Sequence, residues 1–255
     1  MKIASWNVNS LRVRLPQVVE WLNAHQPDVL ALQETKLTDD QFPKEALQAA
    51  GYRALFAGQK TYNGVAILAR GELSDPVTDL PSIDDPQRRL LAASYAGVRI
   101  VDVYVPNGSE VGSEKYAYKL DWLERLTDYL GDELQRHERL VLLGDFNIAP
   151  EDRDVHDPKA WEGKVLCSEP ERRAFRRLVG LGLADTFRQL SDEGNAFSWW
   201  DYRMNGFRRN LGLRIDLILA SPALSAHTAS SRIDTEPRGW ERPSDHAPVV
   251  VEFAI

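Results

Sequence analysis

The chain has 255 residues, of which 43% are hydrophobic and 27% are charged, a composition typical of a soluble globular protein with a substantial core. No apolar run reaches about 18 residues, so we expect no membrane span. The net charge of −7 argues mildly against a nucleic-acid-binding protein, whose contact surfaces are usually basic. Arginines nevertheless cluster in the segments 172–177 and 203–214, so overall charge is a poor guide to the partner.

The single cysteine, Cys167, excludes an internal disulfide and a cysteine-based metal cluster. The first residues enter a strand-like alternation directly, without the charged and then apolar layout of a secretory signal. We therefore expect a protein of a reducing, cytoplasmic compartment.

Short apolar strands alternate with longer amphipathic helices along the chain. Strands are predicted at residues 2–8, 29–33, 64–69, 90–95, 98–104, 140–143, 213–220, 229–233 and 248–253. Helices are predicted at 15–24, from 39 or 40 to 51, at 114–135 and at 169–179. Pro16 suits the first turn of the first helix, and Ala96-Gly97 suits a two-residue hairpin turn. The alternation predicts a single α/β domain over residues 1–255, with helices covering sheets.

Polar residues directly follow the apolar run at 140–143. Asp145 and Asn147 are two positions apart, so in an extended chain both side chains point to the same side. Ligand sites in α/β proteins often form beyond the carboxyl ends of strands. Asp and Asn are also common in turns after strands, so this pair alone fits a turn as well as a site.

Glu34 follows the strand at 29–33 in the same way. Its carboxylate could supply a hard oxygen ligand for Mg²⁺, although one such Glu more often caps a helix or lies on the surface. Asn7 lies within the first strand, where a buried amide needs hydrogen-bond partners. It is therefore either structural or orients a neighbouring carboxylate.

Asp216 lies inside an apolar run, where an unpaired ionised carboxylate would be costly to bury. A cationic or hydrogen-bond-donating partner is expected, and the pair Asp245-His246 before the last strand offers one. A carboxylate fixes the tautomer of an imidazole and raises its basicity, which suits phosphate stabilisation or proton transfer. A lone His at a strand start is usually structural, but its pairing with an in-strand Asp favours a functional role.

Six short runs of the sequence carry a resemblance: WNVNSLR (6–12), LQETK (32–36), YVPNG (104–108), GDFNIA (144–149), GLRID (212–216) and SDHAP (244–248). Together and in this order they resemble the exonuclease III family of apurinic/apyrimidinic endonucleases, part of the wider endonuclease/exonuclease/phosphatase group. The resemblance implies an α/β fold of two mixed β-sheets packed face to face with helices on the outside. This four-layer sandwich would carry its site at one rim.

The resemblance also implies a metal site. Glu34 would be the principal ligand of Mg²⁺, with Mn²⁺ as the alternative ion. Asp245 would be an outer acid or a ligand of a second metal. The other residues of the metal site would be Asn7, Asp145 and Asn147.

The same resemblance assigns catalytic roles. Asp145 would position or deprotonate the attacking water, with Asn7 orienting it. Asn147 would contact the phosphate, and Asp216 would support His246, which would face the phosphate. Tyr104 would donate to the phosphate or, as phenolate, assist the attack.

Contacts with the substrate depend on less specific residues. The residues expected to contact DNA are Arg12, Lys36, Asn9, Asn107 and Arg208, although any single arginine fits a solvated surface position better than a DNA contact. Trp199, Leu213 and Ile215 would line a small apolar pocket for a sugar that lacks its base, although aromatic residues near a strand usually belong to the core.

The activity that the resemblance implies is Mg²⁺-dependent hydrolysis of DNA phosphodiesters in base excision repair. The partner would be double-stranded DNA with abasic sites, nicks or 3′ ends. The enzyme, expected to be a monomer, would cut 5′ to abasic sites, trim 3′ ends, or do both. Direct attack by water is expected, because the sequence has no serine in a Gly-x-Ser-x-Gly elbow and no nucleophilic cysteine. Two alternatives stay open: a phosphodiesterase or phosphatase for inositol phosphates or lipids, and a non-catalytic DNA-binding module.

Overall fold

The computed structural model describes residues 1–81 and 83–255. The strands are β1 (Lys2–Asn7), β2 (Val29–Gln33), β3 (Arg53–Ala57), β4 (Val65–Ala69), β5 (Ser74–Thr78), β6 (Leu90–Tyr95), β7 (Val98–Tyr104), β8 (Leu140–Asp145), β9 (Ala184–Asp185), β10 (Trp199–Trp200), β11 (Gly212–Leu213), β12 (Asp216–Ala220), β13 (Thr228–Ile233) and β14 (Val249–Phe253). The α-helices are α1 (Leu11–His25), α2 (Lys44–Ala49), α3 (Glu114–Arg136), α4 (Pro158–Trp161), α5 (Glu169–Gly180), α6 (Thr186–Leu190) and α7 (Pro222–Ser225).

The strands form two six-stranded mixed sheets and a two-stranded ribbon. The first sheet has the order β13-β14-β1-β2-β4-β3, the second has the order β5-β6-β7-β8-β12-β9, and β10 pairs with β11 in the ribbon. Strands β1 and β2 are parallel, as are β7 and β8. Strand β14 runs antiparallel to β1, with Lys2 opposite Glu252, so the first sheet joins distant parts of the chain.

The alternation of side chains along each strand divides the core into layers. Ile3 of β1 and Leu143 of β8 belong to the core between the two sheets. Trp6 of β1 packs with the buried face of α1, whereas Leu142 of β8 packs with residues of α3 and α5. The order is helix, sheet, sheet, helix, which confirms the predicted four-layer α/β sandwich.

Parallel pairing brings the carboxyl ends of four strands to one edge of the sandwich. Strand β1 ends at Asn7, β7 ends at Tyr104 and β8 ends at Asp145, while Glu34 follows β2 directly. Strand β12 runs the opposite way and begins at this edge with Asp216, opposite Asp145. The strands therefore deliver five polar side chains to one rim of the sandwich.

Helix α1 begins at Leu11, before the start predicted at residue 15, so Pro16 lies inside the helix and the prediction of its place in the first turn was wrong. The helix starts early because Leu11 is buried in the outer core. The backbone N–H of Ser10 also donates to the carbonyl of Glu34 at 2.8 Å, which ties the helix start to the rim.

The single helix predicted between residue 39 or 40 and residue 51 was also wrong. This region contains a 3-10 turn at Asp39–Gln41 and then the short helix α2. Pro43 separates the two, because proline lacks a backbone N–H and restricts the residue before it. Asp39 accepts a hydrogen bond from the backbone N–H of Gly58 at 2.7 Å rather than capping the helix.

The strand predicted at 213–220 is divided into β11 and β12. The break occurs because the backbone N–H groups of Ile215 and Asp216 both donate to the hydroxyl of Ser198, each at 3.0 Å. Arg214 at the break is buried, and its guanidinium pairs with Asp154 at 2.7 Å. The sequence suggested that Arg214 belongs to a cluster of surface arginines at 203–214. Its burial shows that it does not.

The other predicted elements agree within a few residues, and Ala96 and Gly97 form the predicted hairpin turn with positive φ angles. The edge strand β5 was not predicted, because it is mostly exposed and contains Pro76 in place of an apolar run. Within residues 1–81 and 83–255, no helix combines the length and the apolar character needed to cross a membrane.

Gly144 stands before Asp145 at a position where no side chain fits. Its φ is +142°, and a Cβ there would lie 1.9 Å from the carbonyl oxygen of Val103 in β7. We predict that Gly144→Ala lowers the free energy of unfolding by about 2–3 kcal/mol, because β7 and β8 must separate to admit the methyl group. Urea denaturation measures this loss.

Gly131→Ala in α3 is the matched control, because a Cβ at Gly131 meets nothing within 4 Å. It should leave the stability unchanged or raise it by up to about 1 kcal/mol, since alanine favours a helix over glycine. Equal losses for the two substitutions would contradict the steric explanation.

Candidate functional site

Asn7 connects the two sheets at the rim. Its Nδ2 donates to Glu34 Oε1 and to Asp145 Oδ2, both at 2.9 Å, and its side chain is fully buried. Its Oδ1 accepts from the backbone N–H of Asn9 at 3.0 Å, which fixes the direction of the amide. One side chain therefore holds two carboxylates, one from each sheet, in a defined relative position.

His246 lies between two buried carboxylates. Its Nδ1 is 2.9 Å from Asp216 Oδ2, and its Nε2 is 3.8 Å from Asp145 Oδ2. Burial alone would lower the pKa of His246, but the Asp216 and Asp145 carboxylates raise it to about 10. Burial raises the pKa of Asp145 to about 7, against the lowering effect of His246. The imidazole is therefore protonated at neutral pH and partly neutralises the two acids.

The segment that carries His246 is held by two side chains that the sequence analysis did not single out. Ser244 Oγ donates to the carbonyl of Asn7 at 2.7 Å and accepts from the backbone N–H of His246 at 3.2 Å. Trp6 Nε1 donates to the carbonyl of His246 at 3.2 Å. Both residues lie within the runs that carried the family resemblance, which was the available signal.

Asn147 has a left-handed backbone, with φ at 48°. Its N–H donates to Asp145 Oδ1 at 2.9 Å, so a turn brings the two residues together and the extended conformation that we expected is wrong. Asn147 Nδ2 donates to the carbonyl of Val105 at 2.9 Å, and its Oδ1 accepts from Asn107 Nδ2 at 3.1 Å. Turn and candidate site, treated as alternatives from the sequence, occur together here.

A second group of polar residues surrounds the carboxylates. Glu34 Oε2 lies 2.9 Å from Lys36 Nζ, which also donates to Asn9 Oδ1. Asn9 Nδ2 donates to Asp245 Oδ1 at 2.9 Å, and Trp199 Nε1 donates to Asp245 Oδ2 at 3.0 Å. Both oxygens of Asp245 are thus engaged by neutral donors at the edge of the cluster.

Tyr104 is half-buried at the end of β7. Its pKa is raised well above the usual value, first by burial and then by the Glu34 and Asp145 carboxylates. The Arg89 guanidinium lies 4.8 Å from the centre of the Tyr104 ring, and Nη1 of Arg89 donates to the Tyr104 carbonyl at 3.2 Å. Tyr104 is therefore a neutral hydrogen-bond donor, held by an arginine that the sequence analysis missed.

Three of the residues expected to contact DNA are exposed: Asn107, described above, and the two arginines Arg12 and Arg208. Arg12 donates to Gln41 Oε1 at 2.6 Å. Arg208 is exposed in the segment between β10 and β11. Their positions fit a solvated surface as well as a phosphate contact.

The residues expected to line a sugar pocket form a small apolar core instead. Leu213 and Ile215 are 0% and 2% exposed, and they pack with Leu166 and Cys167. Trp199 is half-buried against the same cluster. In this conformation Leu213 and Ile215 offer no surface to a sugar, so a pocket there requires the cluster to open.

Glu34, Asp145 and His246 are close enough to hold a metal ion together, because one potential ligand atom from each lies within 4.8 Å of the others. Carboxylate oxygens suit hard divalent cations. His246 Nδ1 is already paired with Asp216 at 2.9 Å, and hard divalent cations prefer oxygen ligands, so the two carboxylates are the better ligands. The donor set therefore fits a divalent cation held by Glu34 and Asp145.

Comparisons with known proteins identify the family. Residues 4–246 match the Endonuclease/Exonuclease/phosphatase family, and the chain belongs to this family. Exodeoxyribonuclease III of Haemophilus influenzae is 37% identical over 99% of this chain and 100% of the relative. The exonuclease III branch predicted from the sequence is thereby confirmed.

Solved structures extend the comparison. A 3′ phosphatase from Neisseria bound to a product DNA hairpin superposes with a TM-score of 0.99 at 52% identity, covering 100% of both chains. An AP endonuclease from Archaeoglobus fulgidus superposes with a TM-score of 0.96 at 40% identity, again covering 100% of both chains. The chain thus shares its whole fold with a 3′ phosphatase bound to DNA and with an AP endonuclease.

Asp216→Asn tests the origin of the charge on His246. We predict that the imidazole pKa, followed by NMR titration, falls from about 10 toward or below its ordinary value of about 6.5. The reason is that the variant lacks the carboxylate that raises this pKa most, whereas burial still lowers it. The raised pKa stabilises the wild-type fold below the unfolded pKa of His, and this contribution is lost as pH rises through about 10.

Asp245→Asn is the control, because Asp245 affects the pKa of His246 less than Asp216 does. Its imidazole pKa should fall by a smaller amount. Equal decreases in the two variants would show that Asp216 is not the main partner.

Proposed function

We propose that residues 1–255 form one catalytic domain, a divalent-metal-dependent DNA phosphoesterase of base excision repair. It would trim 3′ ends, cut 5′ to abasic sites, or do both, by attack of water on phosphorus. The observation that carries the proposal is the buried arrangement in which His246 lies between Asp216 and Asp145. The hydrogen-bonded amides of Asn147 and Asn107 belong to the same rim. The names of the relatives, exodeoxyribonuclease III, AP endonuclease and 3′ phosphatase, support DNA as the substrate.

Mg²⁺ is the proposed metal and Mn²⁺ the alternative, because both accept carboxylate oxygens such as those of Glu34 and Asp145. When bound, such an ion polarises the phosphate and stabilises the leaving oxygen. Asn7 donates to both carboxylates and so fixes the distance between them. Asp245 would act from outside, since neutral donors occupy both of its oxygens.

Asp145 is the proposed base. Its Oδ1 accepts from the backbone N–H of Asn147, and its Oδ2 accepts from Nδ2 of Asn7. These two hydrogen bonds hold the carboxylate in place and leave lone pairs for water. Without a cation, burial raises the pKa of Asp145 to about 7, and a divalent cation beside it would lower that value, so the carboxylate would be ionised and able to accept a proton at neutral pH. It would position the attacking water and accept its proton.

Negative charge that develops on the phosphate would be met by fixed donors. His246 contributes an imidazolium that Asp216 holds through Nδ1, so its Nε2 can face the substrate. Asn147 and Tyr104 contribute an amide and a neutral hydroxyl at the ends of their strands. Donors that need no rearrangement when charge develops stabilise the transition state most effectively.

DNA contacts are proposed at Lys36, Asn9, Asn107, Arg12 and Arg208, which would bind backbone phosphates. The buried state of Leu213 and Ile215 favours processing of 3′ ends, because a terminal phosphate needs no sugar pocket. Incision at abasic sites is the second candidate activity, supported by the 40% identity to an AP endonuclease over the full chain. It requires the cluster around Trp199 to open.

Four labelled duplexes distinguish these activities: intact, nicked, with one abasic-site analogue, and with a 3′ phosphate. We predict release of product from the 3′-phosphate duplex with Mg²⁺, and loss of activity when a chelator is added. Adding Mg²⁺ in excess should restore it. Activity on an inositol phosphate and on none of the duplexes would reject the proposed substrate.

Asp145→Asn should lower kcat about 100- to 10,000-fold on the preferred duplex, because the amide cannot accept the proton of water. Steady-state kinetics with Mg²⁺ measure the effect, and circular dichroism checks the fold. Asp192→Asn, at a surface carboxylate that pairs with Arg153, is the control and should keep wild-type rates. A near wild-type rate for Asp145→Asn would remove Asp145 from the role of base.

A further inference from the structure

Lys119 of α3 is a lysine with 0% of its surface exposed, and the proposed chemistry does not use it. Its Nζ donates to the carbonyl of Asn147 at 2.6 Å, to the carbonyl of Asn107 at 3.0 Å and to Glu171 Oε1 at 2.5 Å. An ammonium group has three N–H donors, so all of them are used. A buried lysine is costly unless it is paired, and here two of its three partners belong to loops at the rim.

The two carbonyls belong to the two residues whose amides face each other at the rim. Asn107 Nδ2 donates to Asn147 Oδ1 at 3.1 Å, and the Asn147 backbone is left-handed, with φ at 48°. A non-glycine residue keeps such a backbone only when its surroundings hold it there. Lys119 supplies that restraint, because its ammonium donates to the carbonyls of both Asn107 and Asn147.

Glu171 holds the ammonium in turn. It lies in the first turn of α5 with 0% exposure, and its Oε1 also accepts from the backbone N–H of Leu166 at 3.0 Å. Its Oε2 accepts from the backbone N–H of Ser168 at 3.1 Å. The carboxylate is therefore fixed by the backbone before α5, and the ion pair has little freedom to move.

We propose that Lys119 is a positioning residue for the DNA hydrolysis described above: its ammonium, held by Glu171, fixes the Asn107 and Asn147 carbonyls and so directs both amides toward the phosphate. The catalytic part of this inference rests on the proposed function. The structural part, the restraint of two rim loops by one buried ion pair, is independent of it.

A second buried ion pair of α3 provides a matched comparison. Arg99 and Glu133 are 3% and 4% exposed and lie 2.6 Å apart. Nη1 of Arg99 donates a hydrogen bond to the carbonyl of Asp75, in the edge strand β5, at 2.7 Å. The two pairs are alike in burial and share α3, but only Lys119 binds the carbonyls of the rim loops.

The test compares two double variants, Lys119→Met/Glu171→Gln and Arg99→Met/Glu133→Gln. Each removes a buried ion pair without leaving an unpaired buried charge. We expect kcat on the preferred duplex to fall about 10- to 100-fold in the Lys119 variant, with KM changed less than about 3-fold, because misplaced groups slow the chemical step. The Arg99 variant should keep kcat within about 2-fold, although both variants lose thermal stability.

Hydrogen exchange gives a readout that needs no activity. Amides in residues 105–109 and 145–149 should exchange faster in the Lys119 variant than in the Arg99 variant, because their loops lose an anchor. A double-mutant cycle adds a third readout. In an Asn147→Ala background, the Lys119 change should lower kcat less than about 3-fold, since one of the two amides that it positions is absent.

Three results would overturn the inference: equal losses of kcat in the two double variants, unchanged exchange in both loops, or a full Lys119 effect in the Asn147→Ala background. Wild-type protein that cleaves none of the duplexes would instead refute the proposed function. In that case the exchange comparison alone would decide whether Lys119 restrains the loops.

Discussion

The rim of this protein is constrained by two carboxylates that face each other across neighbouring strands. Asp145 and Asp216 are register partners in β8 and β12, and each is 1% exposed. Two like charges this close are stable only when a cation or proton compensates them. His246 supplies the compensation from the segment before β14, which belongs to the other sheet. The two acids of one sheet are thus neutralised by a residue attached to the other sheet. Asn7 of β1 also joins the two sheets, because its amide donates to Asp145.

The sandwich and the strand ends could be predicted from the sequence because apolar runs stop abruptly at polar residues, as at Asp145. Breaks that depend on distant side chains could not. Ile215 continues an apolar run, and only the hydroxyl of Ser198, 17 residues away, shows that the backbone leaves the ladder there. The start of α1 likewise depends on a carbonyl at Glu34, beyond the reach of local periodicity.

The acids of the candidate site could be predicted because a carboxylate in or beside an apolar run needs a partner. The buried cations Lys119 and Arg214 could not, because lysine and arginine usually keep their charge at the surface. Lys119 finds two of its three acceptors 28 and 52 residues further along the chain, and Arg214 pairs with an acid 60 residues away. Burial of such groups is a property of the packed layers, and no local pattern reveals it.

The pairing of β1 with β14 also bears on how the protein folds. Ile3 faces Val251 in the centre of the first sheet, so this sheet closes only when segments separated by almost the whole sequence meet. The loop-closure cost rises with sequence separation, and folds with many such contacts fold more slowly. His246 lies just before β14, so the cation between the two carboxylates arrives with the last strand. His246 also follows Asp145 and Asp216 in the sequence, so a chain made from its N-terminus carries both acids before the group that neutralises them.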